Sequence, residues 1–204
     1  MRNKYKELYK KVKKPQIIDC PKLPIIALTG EGNPNNNQVF QAQIEALYKL
    51  AYAFRMSYKK EPIKNYQTYV VGPLEGFWTT INNQVYQQDK DNLKYEIFIV
   101  QPDFITKEVF EEYQKKLLNT NKYIAKVEYK IIEEQKCGQI LHSGSFDNEP
   151  SSVKVLEEYL MNNDYQIKAN THHEIYLSDF RRVSKEKYQT LIRYQIKKLA
   201  NSKE

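Results

Sequence analysis

The sequence predicts an α+β fold: antiparallel sheets with helices on one face, built from a βαββ unit that occurs twice. Three observations carry this reading. One amphipathic helix stands out, with Phe40, Ile44, Leu47, Ala51 and Phe54 recurring at helical spacing. Short runs of β-branched and aromatic residues, closed by Gly or Pro, flank it. The order strand, Gly-containing turn, helix, strand, strand then recurs in the second half. A duplicated unit of this kind implies pseudo-twofold symmetry, with a ligand groove where the halves meet and both contribute concave walls.

In the first half, residues 24–29 read as a strand closed by Gly30-Glu31-Gly32. The turn at residues 33–37 ends in an Asn able to cap the helix. Residues 66–71 read as the next strand, ending at Gly72-Pro73, and residues 95–100 as another. Thr106 caps a linking helix with Val109, Phe110, Tyr113 and Leu117 on one side. In the second half, residues 125–132 and 137–141 are strand-like, separated by the polar Glu133-Glu134-Gln135-Lys136. A helix follows with Val153, Leu156, Tyr159 and Leu160. Strands at residues 173–177 and 190–196 close the order. The boundaries that follow are a basic, exposed extension over 1–14, a first repeat over 15–103, a linker over 104–124 and a second repeat over 125–199, all in one domain.

Composition narrows the function classes. With 204 residues the chain can bury a core without metals or disulfides. It carries 17 Tyr and 8 Phe, which suit amphipathic pockets as well as core edges. The net charge of +7 gathers partly at the two ends. No helix-turn-helix, finger or single-strand-binding motif accompanies it, so a solvated lysine-rich surface is expected rather than direct nucleic-acid binding. The basic N-terminus has no apolar core of a signal peptide, and no apolar run approaches the roughly 20 residues of a membrane helix. A cytoplasmic protein without membrane contact is expected.

No cofactor and no metal are expected. Cys20 and Cys137 are far apart in sequence and form no CxxC pair, so two free thiols are expected. His172 and His173 are adjacent on a strand and face opposite ways. Gly30-Glu31-Gly32 lacks the third glycine of a dinucleotide fingerprint. His142, before Ser143-Gly144-Ser145 and near Asp147 and Glu149, suggests a Ser/His/acid triad, but no nucleophile elbow accompanies it.

The most informative stretch is 172–177. Alternation places His172, Glu174 and Tyr176 on one strand face, and His173, Ile175 and Leu177 on the other. The second set is mostly apolar and suits the helices, so the first is expected to point away from them, into the cleft. An acid among aromatic walls can pair with a cationic ligand, or its pKa can rise until it serves as a general acid or base. The structural alternative is an ion pair with Arg181, Arg182 or Arg193. Gly72-Pro73-Leu74-Glu75-Gly76-Phe77-Trp78 supplies a tight backbone, a second acid and the only Trp in the chain. It reads as a cleft wall, or else as a turn with a core Trp.

Taken together, Glu31-Gly32-Asn33-Pro34, Ala46-Leu47-Tyr48, the run from Tyr69 to Trp78, Gln101-Pro102-Asp103-Phe104, the run from Gln139 to Gly144 and the run from His172 to Asp179 resemble the GyrI-like small-molecule-binding domains. The resemblance runs from about Pro15 to Tyr194. It implies a duplicated βαββ fold with a central groove for small organic molecules. It also implies a groove acid that receives cationic aromatic drugs in the family's multidrug regulators, matched here by Glu174. A protein-interaction role of the gyrase-inhibitor type also occurs in the family. Stand-alone members of similar length look like hydrolases that open cyclopropane-containing toxins, using a groove Glu and a Tyr. On that basis Glu174 and Tyr176 are the expected catalytic pair. Tyr69 and Tyr95 remain alternatives for the phenol. Tyr69, Glu75, Trp78, Tyr95, His142 and His172 are the expected ligand-binding residues. Phe77 and Tyr95 stand where the family pattern leads one to expect Leu and Trp, and no DNA-binding segment is expected in the chain.

Overall fold

A computed structural model describes residues 5–35, 37–59, 62–80, 90–168 and 171–199. Parts of the basic termini, residues 1–4 and 200–204, therefore lie outside the described residues, as does Asn36 of the predicted turn. Among the described residues the fold is mixed α+β, a curled antiparallel sheet with three α-helices.

The strands are β1 Gln16–Cys20, β2 Leu23–Glu31, β3 Glu75–Thr80, β4 Leu93–Val100, β5 Glu128–Ile132, β6 Gln135–Ser143, β7 Tyr165–Ile167, β8 His172–Tyr176 and β9 Gln189–Lys198. The helices are α1 Gln38–Met56, α2 Lys107–Leu117 and α3 Glu149–Met161. The sheet order is β1-β6-β9-β8-β3-β4-β2-β5, with short β7 on the far end of β9. Outward from the β3–β8 seam come β4, β2 and β5 on one side and β9, β6 and β1 on the other. This is the order a duplicated unit would give.

The helix starts follow from the local sequence. The Asn37 side chain accepts from the Val39 and Phe40 amides, satisfying donors that have no partner within α1. Thr106 does the same for α2 through the Val109 amide. Phe40, Ile44, Leu47, Ala51 and Phe54 are all buried, against Ile26, Leu28, Ile97 and Ile99 of the sheet. At about 1.5–3 kcal/mol for each large apolar side chain buried, this stripe is a main source of the fold's stability.

Cross-strand register defines the two faces. One row runs Ile140, Ile192, Glu174, Gly76, Ile97, Leu28 across β6, β9, β8, β3, β4 and β2. Cross-strand partners share a face, and α1 and α3 pack on this one, α3 through Leu156 and Leu160. Glu174 is the single carboxylate in that row. The opposite face carries Glu75, Phe77, Phe98, His173 and Arg193.

Here the structure corrects the expected layering. Glu174 and Tyr176 point to the helix side, and the cleft lies on that side. The apolar look of His173, Ile175 and Leu177 misled, because the opposite face is buried too. The N-terminal segment covers it. Tyr5 and Leu8 are buried in the cluster with Cys20, Phe98 and Cys137, so this part of the extension is not exposed. Lysines masked the pattern, since Tyr5, Leu8 and Tyr9 are scattered among them.

Residues 66–71 form no strand. Their rings serve other ends: Tyr66 donates to the Arg55 carbonyl, and Tyr66 and Tyr69 both pack on Phe104. The ladder position expected for them is taken by β3, which begins after Pro73. Residues 124–126 are a 3-10 turn rather than the start of β5. Gly30 and Glu31 continue β2, and the turn starts at Gly32, whose φ is 92°. No residue pattern predicts β1 or β7.

Candidate functional site

The site grows from the β3–β8 seam. Gly76 lies directly opposite Glu174. A Cβ at Gly76 would stand 2.9 Å from Trp78 Nε1, so the missing side chain leaves room for the indole. Trp78 is opposite His172 in register, yet its ring crosses diagonally over Gly76 and its N–H donates to Tyr176 Oη at 2.8 Å. Since Trp78 fills the acceptor side of that phenol, the Tyr176 hydroxyl proton is directed to Glu174.

A cavity of about 110 Å³ opens over this pair. Phe40, Trp78, Phe146, Phe180 and Tyr188 wall it, and Glu174 and Tyr176 are among its polar groups, with Ser145, Asp147 and Lys185 also in the lining. Glu174 is only 5% exposed. Burial drives its carboxyl pKa up, the Tyr176 hydrogen bond and the His173 charge oppose this, and the result is about 7. Burial also pushes the Tyr176 phenol well above its ordinary value, with the Glu174 charge adding to the effect. The alternative, an arginine pair with Glu174, does not form among the described residues. Arg181 is bound to Asp179, and Arg193 lies on the other face.

Behind Glu174 stands His172. Its Nε2 is 3.4 Å from Glu174 Oε1 and 3.6 Å from Glu149 Oε2, and its Nδ1 is 2.6 Å from the Tyr194 hydroxyl. Burial, aided by the charge of His173, brings its pKa down to about 3, so the ring is neutral. Tyr95 backs the indole, 5.3 Å from Trp78 and edge-on to Phe40, with its hydroxyl on Gln43. Gly30 makes that possible, because a Cβ there would meet the Tyr95 ring.

The remaining expected site residues are elsewhere. The Tyr69 hydroxyl turns to the Ala51 carbonyl. His142 bridges Ser152 and the Ser145 carbonyl at the start of α3. Glu75 is on the opposite face, because it is one residue out of step with Gly76.

There Glu75 joins a buried ionic network. Tyr9 donates to Glu75 Oε1 at 2.7 Å, and His173 sits between Glu75 and Glu134 at 3.0 Å from each. Arg193 reaches Glu134, Gln139 and the Leu8 carbonyl. Burial alone would lower the His173 pKa, but the charge and hydrogen bonds of Glu134, with a bond to Glu75, hold it at about 9. Burial likewise opposes ionisation of Glu134, and His173 and Arg193 overcome it, setting a pKa of about 2. Sequence pattern missed Glu134 and Arg193. Four polar residues in a row read as a loop, and an arginine in an apolar strand was the one available signal.

Two clusters among the described residues have metal-ligand chemistry: Glu149, His172 and Glu174, and Cys20, Glu134 and Cys137, each with donor atoms within 4.8 Å of one another. The neutral imidazole makes the first the better ligand set, while the Arg193 charge opposes a cation at the second.

An aromatic cavity with a buried acid at its base, beside α1 on a curled sheet, invites comparison with known proteins. Residues 13–197 match the GyrI-like small molecule binding domain. The chain belongs to that family. Among solved structures, this GyrI-like chain is similar to a protein of Listeria innocua described as a hydrolase. The two are 29% identical with a TM-score of 0.87, over 96% of this chain and 98% of that one. It is equally similar to an uncharacterized conserved protein of Listeria innocua, at 29% identity and a TM-score of 0.86 over the same shares. The C-terminal domain of EcmrR shares the fold at 9% identity, with a TM-score of 0.51 over 91% of this chain and 98% of that domain. No curated protein matches the sequence.

Proposed function

We propose that this GyrI-like domain is a hydrolase that adds water to a strained, electrophilic ring carried by a flat aromatic molecule. One observation carries the reading: a buried carboxylate, poised to exchange protons near neutrality, at the base of a ring-walled cavity and held by a phenol. A purely structural acid would be expected to pair with Lys or Arg, and among the described residues Glu174 has neither within ion-pair distance. The description of the Listeria protein as a hydrolase supports the reaction class.

In the proposed reaction the Glu174 carboxylate takes a proton from water as the oxygen attacks the ring carbon. One ring C–C bond breaks, and its electron pair passes into the conjugated carbonyl, giving an oxyanion. Tyr176, released from Glu174 once that group is protonated, donates a hydrogen bond to the oxyanion, which gains its proton from solvent. Glu174 returns its own proton to solvent. The net change is the addition of one water. A general base contributes about 10²–10⁴-fold and an oxyanion donor about 10²–10³-fold.

The test is incubation with a cyclopropane-fused cyclohexadienone, read by mass spectrometry for a product one water heavier. Glu174→Gln should abolish that product. Tight binding with no product from the wild type would sink the hydrolase reading and leave a sequestering domain.

A further inference from the structure

The cavity over Glu174 is too small for the molecule it would act on. A water molecule's share of liquid volume is about 30 Å³, so about 110 Å³ admits only a reactive tip. Pockets that hold whole organic ligands run to roughly 300–1,000 Å³. The body of the substrate needs another space.

Such a space adjoins it. Tyr176 and Phe180, their rings 5.1 Å apart at 69°, line both the small cavity and a chamber of about 690 Å³. The chamber lies where β8 leaves the sheet and β3 enters it. Tyr48 and Tyr52 of α1, with Val70 and Leu74, give it aromatic and aliphatic walls. Its charges are unequal. Arg181 is clamped by Asp179 at 2.9 and 3.0 Å and lies over the Tyr48 ring, so the two charges cancel. Lys11 bonds the neutral Gln189 side chain at 2.6 Å, and among the described residues no carboxylate is within ion-pair distance of it. One net positive charge therefore faces an aromatic chamber.

We propose that this chamber is the recognition site for the body of the substrate, and that it selects planar aromatic molecules bearing an acidic group, which Lys11 pairs. The role as a substrate site rests on the hydrolase reading. The chamber's preference for aromatic anions stands without it. Phe180 and Tyr176 then separate recognition from chemistry, the body resting on one side of the rings and the reactive tip passing to Glu174 on the other.

Anilinonaphthalene sulfonate, a planar aromatic anion, is the probe, with the cationic dye rhodamine 6G as its counterpart, both titrated by fluorescence into the full chain. One sulfonate probe should bind per chain, more tightly than the cation. Lys11→Glu should weaken it about tenfold, and Val70→Trp, which fills the chamber from an exposed position, should abolish it. Lys22→Glu, at an exposed lysine outside the chamber lining, should change it less than about twofold. Tighter binding of the cation, or sulfonate affinity indifferent to both Lys11→Glu and Val70→Trp, overturns the chamber proposal. Turnover of a dienone by the wild type alongside that result would leave the hydrolase reading standing. The expected dye pattern with no turnover would do the reverse.

Discussion

The Trp78 indole N–H donates to the Tyr176 phenol oxygen at 2.8 Å, and this bond spans the seam between the two halves of the sheet. It fixes the direction of the Tyr176 proton. Removing the phenol in Tyr176→Phe should lower kcat about 10²–10³-fold, the typical cost of losing one oxyanion donor. Trp78→Phe keeps the phenol but frees its rotation, so a smaller fall, about tenfold, is expected. Steady-state kinetics on the dienone separate the two. Equal losses would mean that Trp78 does more than orient Tyr176.

Glu174 also imprints on stability. Its folded pKa of about 7 lies above the ordinary carboxylate value, so the folded state holds a proton that the unfolded chain has released. Stability from this group is intact below about pH 4.5 and declines as pH rises toward and through 7. Glu174→Gln, neutral at every pH, should remove the decline. Relative to the wild type, the variant should gain on the order of 3 kcal/mol between pH 5 and pH 8, measured by urea unfolding at both. A constant difference across that range would place the titration elsewhere.

Gly76 offers a test of the geometry without touching a polar group. Gly76→Ala sets a methyl 2.9 Å from Trp78 Nε1 and must displace the indole. The chain has a single Trp, so its fluorescence reports on that ring alone. A shift in emission together with a fall in kcat toward the Trp78→Phe level is expected. An unshifted spectrum would show that the indole does not depend on the glycine.

How legible was all this beforehand? The α1 stripe was read residue for residue, because 3.6-residue periodicity survives any tertiary context. The alternation in β8 correctly grouped His172, Glu174 and Tyr176. It assigned the group to the wrong side, since alternation gives relative facing and not which face a helix covers. Glu75 shows the same limit. It is adjacent to Gly76 in sequence and yet separated from the cavity by the whole sheet. The stretch at 66–71 had strand composition but no strand partner, which composition cannot reveal. The lysines of the N-terminal segment suggest a solvated extension, whereas its Tyr5, Leu8 and Tyr9 pack against the protein. Long-range polar partners such as Glu134 with Arg193 leave no periodic trace.

That opposite-face network should set the protein's response to alkali. His173 is held at about 9 between Glu75 and Glu134, so its stabilisation is complete below about pH 6.5 and is lost as pH rises through 9. Glu134, lowered to about 2, contributes above about pH 4.5 and fails only as pH falls through 2. His173→Gln preserves a hydrogen-bonding side chain but removes the cation, leaving two buried carboxylates with less compensation. Breaking a buried charge pair in this way costs about 3–5 kcal/mol, so a loss of that order is expected at pH 6. The deficit should narrow by pH 9.5, where the wild-type imidazole has also lost its charge. Urea unfolding of both proteins at the two pH values decides the matter. A deficit equally large at pH 9.5 would mean that the ring's shape, rather than its charge, holds the network together.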